Sequence, residues 1–427
     1  MNDFGKHEKG VVMKLSRYSM GVGDRFGREG VAQLAAMFKA SEQGIPITPV
    51  WNKSFREHQI IGSTPADTRR AADEAVRSAG WQAAYFVDGD HIDLKTVDDF
   101  MQSSDFFTMD VADEIGKPVE DAKLREYMQF CERFHRSFEI PGIAEKLDVS
   151  PEMVRQIAQQ YLAGILEAEK IYRHIAERVK KPFVLELSID ETEQPQRPVE
   201  LFFILAGAAW CRLPLDTIAP KFSGRFNKGV DYVGDAARFA REFEEDILVV
   251  KFAVQEFGLP ASLKLSVHSG SDKFTLYPII RKILHKQNAG VHLKTAGTTW
   301  LEELIGIAAA GGAGLDLAKS IYSDAYDRQA ELVKPYAPVL DIHPKRLPSP
   351  ADVRTWSSAE FVGALRHVQT EKRYNPDFRQ LLHVAYKIAA ERCTEFDRAL
   401  QHYVDFIAPN VTENLFERHI KPLFLEE

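Results

Sequence analysis

Short apolar runs recur along the chain. Each ends in polar or Gly-containing residues, and most lead into a stretch with apolar positions at helical spacing. The runs are Arg17 to Gly23, Ile45 to Val50, Ala83 to Val87, Phe106 to Val111, Phe183 to Ile189, Leu213 to Ala219, Leu263 to Val267 and Val291 to Lys294. Helices are expected over Gly30 to Glu42, Ala66 to Ser78, Leu94 to Met101, Val199 to Trp210, Asp235 to Phe257, Phe274 to Gln287 and from Trp300 onward. Thr64-Pro65 and Ser150-Pro151 carry the cap-then-proline signature of a helix start. Eight strands alternating with helices predict parallel pairing through right-handed crossovers, and over roughly 280 residues a closed (β/α)8 barrel. A doubly wound open sheet is the alternative, but no convincing Gly-rich dinucleotide turn is present. Lys117 to Lys181 interrupts the rhythm and reads as helical throughout, with an insertion at about 117–150. The expected division is a variable extension at 1–14, the barrel at 15–345 and a helical appendage at 346–427.

Composition narrows the class. The 427 residues are 45% hydrophobic and 27% charged, ordinary for a globular chain. With 54 Lys plus Arg against 62 Asp plus Glu, the net charge is −8, so no basic excess is available to neutralise a nucleic acid. The three cysteines, Cys131, Cys211 and Cys393, show no metal or disulfide spacing and suggest a reducing compartment. Residues 1–14 lack the apolar core of a signal peptide, and no apolar stretch is long enough for a membrane span. The expectation is a cytoplasmic protein acting on a small molecule, with neither a nucleic-acid nor a membrane partner. A homo-oligomer is open.

In such a barrel, chemistry gathers where the strands end. The polar residues at these places are Asp24 and Arg25; Asn52 and Lys53; Asp88, Asp90 and His91; Asp110; Glu186, Asp190, Glu191 and Glu193; Lys221; His268; and Lys294. Strand ends are polar in any barrel, so about half of this set is expected only to be solvated or to cap helices. Asp90-His91 pairs a potential base with a potential metal ligand. His268-Ser269-Gly270-Ser271-Asp272-Lys273 places a second histidine before a Ser/Gly turn that either contacts substrate or merely caps a helix. Asp190, Glu191 and Glu193 offer carboxylates to complete a mixed shell for Mn²⁺, Zn²⁺, Co²⁺ or Ni²⁺. Spacing does not choose among them; Glu193 is taken as the ligand beside His91 and His268, and Glu191 as catalytic. Arg25, Lys53, Asp110, Lys221, Ser269, Ser271, Asp272 and Lys273 are the expected substrate contacts, and Lys294 joins Asp90 in catalysis. His343, after the barrel, either reaches across the mouth or is an ordinary loop or core histidine. No GxSxG, P-loop, HExxH or kinase motif set occurs.

Four strings in order carry a resemblance: Val87-Asp88-Gly89-Asp90-His91-Ile92-Asp93-Leu94, Phe106-Phe107-Thr108-Met109-Asp110, Asp190-Glu191-Thr192-Glu193 and His268-Ser269-Gly270-Ser271-Asp272-Lys273-Phe274. Together they resemble the tagaturonate epimerase family over nearly the whole chain after the first dozen residues. The resemblance implies interconversion of D-fructuronate and D-tagaturonate in hexuronate catabolism, or of the neutral ketoses fructose and tagatose. More distantly, Asp90-His91 and His268 with its turn are similar to the metal-dependent ketose-bisphosphate aldolases, also (β/α)8 barrels. There the aspartate is the acid/base and the histidine a ligand. Where such an aldolase has a further ligand histidine, this chain has Pro220-Lys221-Phe222. The Ser-Gly-Ser-Asp turn, whose aspartate would repel a phosphate, argues against a bisphosphate substrate.

Overall fold

In a computed structural model, which describes residues 14–295 and 298–425, the apolar runs form the parallel strands β1 (Tyr18–Gly21), β2 (Ile47–Ser54), β3 (Phe86–Ile92), β4 (Phe106–Asp110), β5 (Val184–Ser188), β6 (Thr217–Ala219), β7 (Lys264–His268) and β8 (Val291–Lys294). They pair in chain order, and β8 closes onto β1 from Tyr18–Val291 to Gly21–Lys294. The fold is the expected (β/α)8 barrel. Residues 1–13, most of the expected N-terminal extension, lie outside the described residues.

Two strands outrun their apolar stretches. β2 continues through Asn52 and Lys53, and β3 through Asp88, Asp90 and His91. Side chains alternate between faces along a strand, and here the inner face turns from apolar to polar partway up. Leu15, Val50, Phe86, Phe106 and Val184 form an apolar floor inside the barrel. Above Phe86 the inward positions of β3 are Asp88 and Asp90. Hydrophobicity therefore ends before the strand does. The outward residues, such as Val87, Met109 and Leu187, join the larger core beneath the helices.

Local chemistry sets the helix starts. Helix α1 spans Gly30–Glu42. In α2 (Phe55–Ile61), Ser54 and Glu57 form a capping box. In α3 (Pro65–Ala79), Thr64 and Asp67 do the same ahead of Pro65. Ser150 accepts from the Met153 amide at the start of the helix Pro151–Arg178. The stretch before it is not helical throughout: after the helix Asp121–Cys131, a short antiparallel pair joins Ser137–Phe138 to Leu147–Asp148. Among the described residues no helix is long and apolar enough to cross a membrane.

The C-terminal region is helical, as expected, and its middle holds three successive helices, Pro376–Val384, Tyr386–Glu391 and Cys393–His402. These helices share the barrel's outer core. Trp300 donates to the Leu382 carbonyl at 2.7 Å, and Arg281 to the Leu425 carbonyl at 2.8 Å. A buried charge fastens the region to the barrel. Asp272, fully buried after β7, meets Arg379 Nη2 at 2.7 Å, His367 Nδ1 at 2.9 Å and His419 Nε2 at 3.2 Å. Burial disfavours its charge, but Arg379 and the two histidines hold the carboxyl well below the usual range.

Asp272→Asn is expected to cost about 3–5 kcal/mol of stability, because Arg379 is left buried without its counter-charge. Urea unfolding at pH 7 measures this. The folded pKa of Asp272 lies below its free value, so the stabilisation is present above about pH 4 and is lost as pH falls toward the folded value. The gap between wild type and variant should narrow on acidification.

Candidate active site

The upper barrel is organised around one ammonium group. Lys294, at the end of β8, points across the axis, and its Nζ lies 2.8 Å from Asp88, 2.8 Å from Asp90 and 3.0 Å from Glu186. It also donates to Thr108, whose hydroxyl reaches Asp88 at 3.0 Å. Gly21 on β1 leaves room for its stem: a Cβ there would stand 3.0 Å from Lys294 Cγ and 3.2 Å from its Cα. Burial opposes the charge on Lys294, but the three carboxylates raise its pKa well above the usual value. Its neighbours separate. Burial, then the charges of Asp90 and Glu186, outweigh Lys294 at Asp88 and push it up to about 7. Asp90 is buried too, but Lys294 and His91 keep it ionised, below the usual range. Asn52 Nδ2 donates to its other oxygen at 3.1 Å.

His91 reaches the mouth through an irregularity. The β3–β4 register shifts between Gly89 and Ile92, and His91 has φ of 51°. A bulge of this kind re-aims a side chain at a cost of about 1–3 kcal/mol for the left-handed backbone. The His91 and His268 rings stand 5.3 Å apart, near perpendicular. Each has one nitrogen against a carboxylate, His91 Nδ1 on Asp110 at 2.9 Å and His268 Nε2 on Glu186 at 2.8 Å. That pattern orients an imidazole and leaves its other nitrogen for a metal. His268 Nδ1 lies 3.1 Å from Asp190, itself held by Ser188. His91, Asp190 and His268 present ligand atoms all within 4.8 Å of one another. His91, Asp110 and Glu191 form a second such group, but it would use the carboxylate that orients His91. Burial lowers the pKa of His268, yet Asp190 and Glu186 outweigh it and raise it to about 9. Carboxylates thus outnumber cations here, as suits a site that takes a cation.

A second group of charges lies toward the C-terminal region. Arg25 Nε donates to Glu57 Oε1 at 3.1 Å, and its guanidinium stacks 4.0 Å from the centre of the Tyr386 ring. Lys53 Nζ donates to the Arg25 carbonyl at 2.7 Å, supporting the loop from behind. Lys228 Nζ lies 5.5 Å from the Tyr336 ring centre.

Residues 2–404 match the tagaturonate epimerase family. The chain belongs to that family. It is an isomerase acting on carbohydrates. A tagaturonate/fructuronate epimerase of Thermotoga maritima is 27% identical over 384 residues, covering 87% of this chain and 73% of its own. Two crystal structures of the fructuronate-tagaturonate epimerase of Cohnella laeviribosi, one native and one with glycerol, share the fold. Each has a TM-score of 0.79 and 23% identity, covering 97% of this chain and 82% of theirs. The family match takes in almost all of Met1–Val12, which the motif resemblance left out.

In this family member the structure brings together Asp90, His91, Asp110, Glu191, His268 and Lys294 from the expected set. Glu193 is exposed and belongs to neither ligand group; Asp190 stands there instead. The turn after β7 is buried, and its side chains bond within the protein. Ser269 donates to the Lys294 carbonyl at 2.7 Å, Ser271 accepts from the Gly229 amide at 2.9 Å, and Lys273 donates to the Asn227 and Val230 carbonyls. With Asp272 clamped by the C-terminal helices, the turn also holds the backbone of the 227–230 loop. Lys221 is half-buried, its ammonium without an ion pair among the described residues, and His343 is exposed beside Asp341. Sequence reading passed over Glu57, Lys228, Tyr336, His383 and Tyr386. Only Glu57 carried a signal, as the third residue of a capping box at a strand end.

Lys294→Met should leave Asp88, Asp90 and Glu186 facing one another uncompensated, at a cost of about 3–5 kcal/mol near neutral pH. The carboxyl pKa values would rise in the folded variant, so it binds more protons than its unfolded chain and regains stability as pH drops. Unfolding titrations at pH 7.5 and pH 5 should show the deficit shrinking at pH 5; an equal deficit at both would refute this account of Lys294.

Proposed function

We propose that the chain interconverts D-fructuronate and D-tagaturonate by retro-aldol cleavage and re-addition at the hydroxyl-bearing carbon β to the ketone, with a divalent metal as cofactor. The observation that carries this reading is the juxtaposition of the ionised Asp90 with the two-histidine, one-carboxylate group, His91 Nε2 lying 3.9 Å from Asp90 Oδ1. The relatives' names supply the substrate pair. The inverted carbon bears a hydrogen that the ketone does not acidify, so enolisation alone cannot invert it. Cleaving the adjacent C–C bond and re-forming it on the other face can.

His91, His268 and Asp190 would hold the metal, with Asp110 and Glu186 orienting the two imidazoles. Mn²⁺, Zn²⁺, Co²⁺ and Ni²⁺ all suit such a donor set. When bound, the ion would act as a Lewis acid on the ketone oxygen and the neighbouring hydroxyl. Asp90 accepts the proton of the β-hydroxyl as the carbon–carbon bond breaks and its electron pair passes toward the ketone. Lys294 and Asn52 hold Asp90 in place and keep it ionised before the reaction. Glu191, beside His91 on the loop after β5, is the second proton-transfer group. Its pKa is raised by burial first, against His91, with Asp110 and Asp190 adding to the rise. Two such groups suit a reaction in which the hydroxyl points in opposite directions in the two epimers. The aldehyde fragment must turn over while both pieces stay bound, and a site enclosed by the barrel and the C-terminal helices supports that retention.

Purified protein, stripped by chelation and reloaded with each metal, should form D-tagaturonate from D-fructuronate only when metal is present, as read by chromatography. Release of a three-carbon fragment would make it an aldolase instead. His91→Ala and His268→Ala should lose bound metal as well as turnover. Asp90→Asn should retain metal and lose at least about a hundredfold in rate; a normal rate would remove Asp90 as the base.

A further inference from the structure

Beside the reacting group lies a set of donors that the cleavage chemistry does not use. Arg25 is fixed on two sides, by Glu57 through Nε and by the Tyr386 ring beneath its plane, and its Nη1 is buried without a hydrogen-bond partner among the described residues. His383, on the helix Pro376–Val384, is 1% exposed, and neither ring nitrogen has a partner among the described residues. Its ring packs against Gly229, next to Lys228: a Cβ on that glycine would stand 3.5 Å from His383 Cδ2. Lys228 makes no ion pair among the described residues, although its backbone is held tightly. Its amide donates to the Val339 carbonyl at 2.9 Å, Ser271 and Arg379 grip Gly229, and Lys273 grips the carbonyls on either side. The Tyr336 and Tyr386 hydroxyls share a hydrogen bond of 2.7 Å, which joins the ring beneath Arg25 to the ring beside Lys228.

Buried polar groups are rarely left without partners. Here several donors surround too few acceptors, since among the described residues Glu57 is the only carboxylate paired with Arg25. A carboxylate brings two acceptor oxygens and a plane that matches a guanidinium. Lys228 feels the charges of both this group and the reaction centre. After burial, which lowers its pKa, the largest influences are Glu57 and Arg25, followed by Glu191 and Asp90. His383 is held neutral by burial and then by Arg25 and Lys228, which leaves it one N–H to donate.

We propose that Arg25, Lys228 and His383 form a seat for the substrate's carboxylate, built jointly by the barrel and the C-terminal region, which selects uronates over neutral ketoses. This rests on the epimerase reading above and assigns the far end of its substrate. Retro-aldol cleavage leaves the carboxylate on the aldehyde fragment. A seat at that end tethers the piece that must rotate, while its aldehyde carbon stays free to present either face.

The test combines kinetics with D-fructuronate and titration calorimetry with D-glycerate, which represents the carboxylate end, against glycerol, its neutral counterpart. Wild type, Lys228→Met, Lys228→Arg and His383→Phe are compared as full chains. Lys228→Met should raise KM for D-fructuronate about 10–100-fold and weaken D-glycerate by a similar factor, as expected for one lost charge-assisted hydrogen bond. Lys228→Arg should recover most of the loss, and His383→Phe should show a smaller one. D-glycerate binding equally to wild type and folded Lys228→Met, or no more tightly than glycerol to wild type, would overturn the seat. Wild type that binds D-glycerate through Lys228 yet converts no D-fructuronate with any of the four metals would leave the seat standing and reject the epimerase reading.

Discussion

Three carboxylates meet one ammonium inside the barrel, and the site depends on that balance. Asp88, Asp90 and Glu186 project inward from β3 and β5, where no water shell can screen them. Like charges this close suppress one another's ionisation. Lys294 makes the arrangement tolerable, and it divides the carboxyls into distinct states: Asp88 raised to about 7, Asp90 and Glu186 held ionised. Glu186 can then accept from His268, which turns that imidazole's other nitrogen toward Asp190. Asp90 and the group of His91, Asp190 and His268 thus share a single electrostatic support. The glycine at position 21 belongs to the same device, because the lysine stem crosses the space a side chain would fill.

The C-terminal region reaches the charges around Arg25 through Tyr386. Its hold on the barrel runs through Asp272, in the turn after the strand that carries His268. The same turn, through Ser271 and Lys273, pins the loop bearing Lys228. One turn thereby connects His268, the anchored helices and Lys228. Tyr386 and His383 arrive on those helices. Both come from a part of the chain distant in sequence from every strand.

Much of the architecture was legible because the barrel's outer face is apolar. Each run, from Arg17–Gly23 to Val291–Lys294, located a strand, and Thr64-Pro65 and Ser150-Pro151 marked real helix starts. Errors fell where the periodic signal failed. β3 was expected to end at Val87 but runs five residues further, to Ile92, because Asp88 and Asp90 are inward residues of a polar interior, not turn residues. The hairpin within 117–150 has only two residues per strand, too short to alternate visibly. Asp190, Glu191 and Glu193 were indistinguishable by type and spacing. Only the path of the loop after β5 separates Asp190, beside His268, from Glu193 in solvent.

What the sequence by itself determined is the alternation of strand and helix, hence the barrel, and the identity of the groups gathered at one end of it. Those follow from local periodicity, and parallel strands must place their C-terminal ends together. The tertiary structure alone decided which of those groups face one another. It turned His91 inward through a bulge, turned Ser271, Asp272 and Lys273 away into a buried clamp, and brought Tyr336, His383 and Tyr386 to the mouth. These are outcomes of long-range packing and of the need to pair every buried charge, and neither leaves a short-range pattern along the chain.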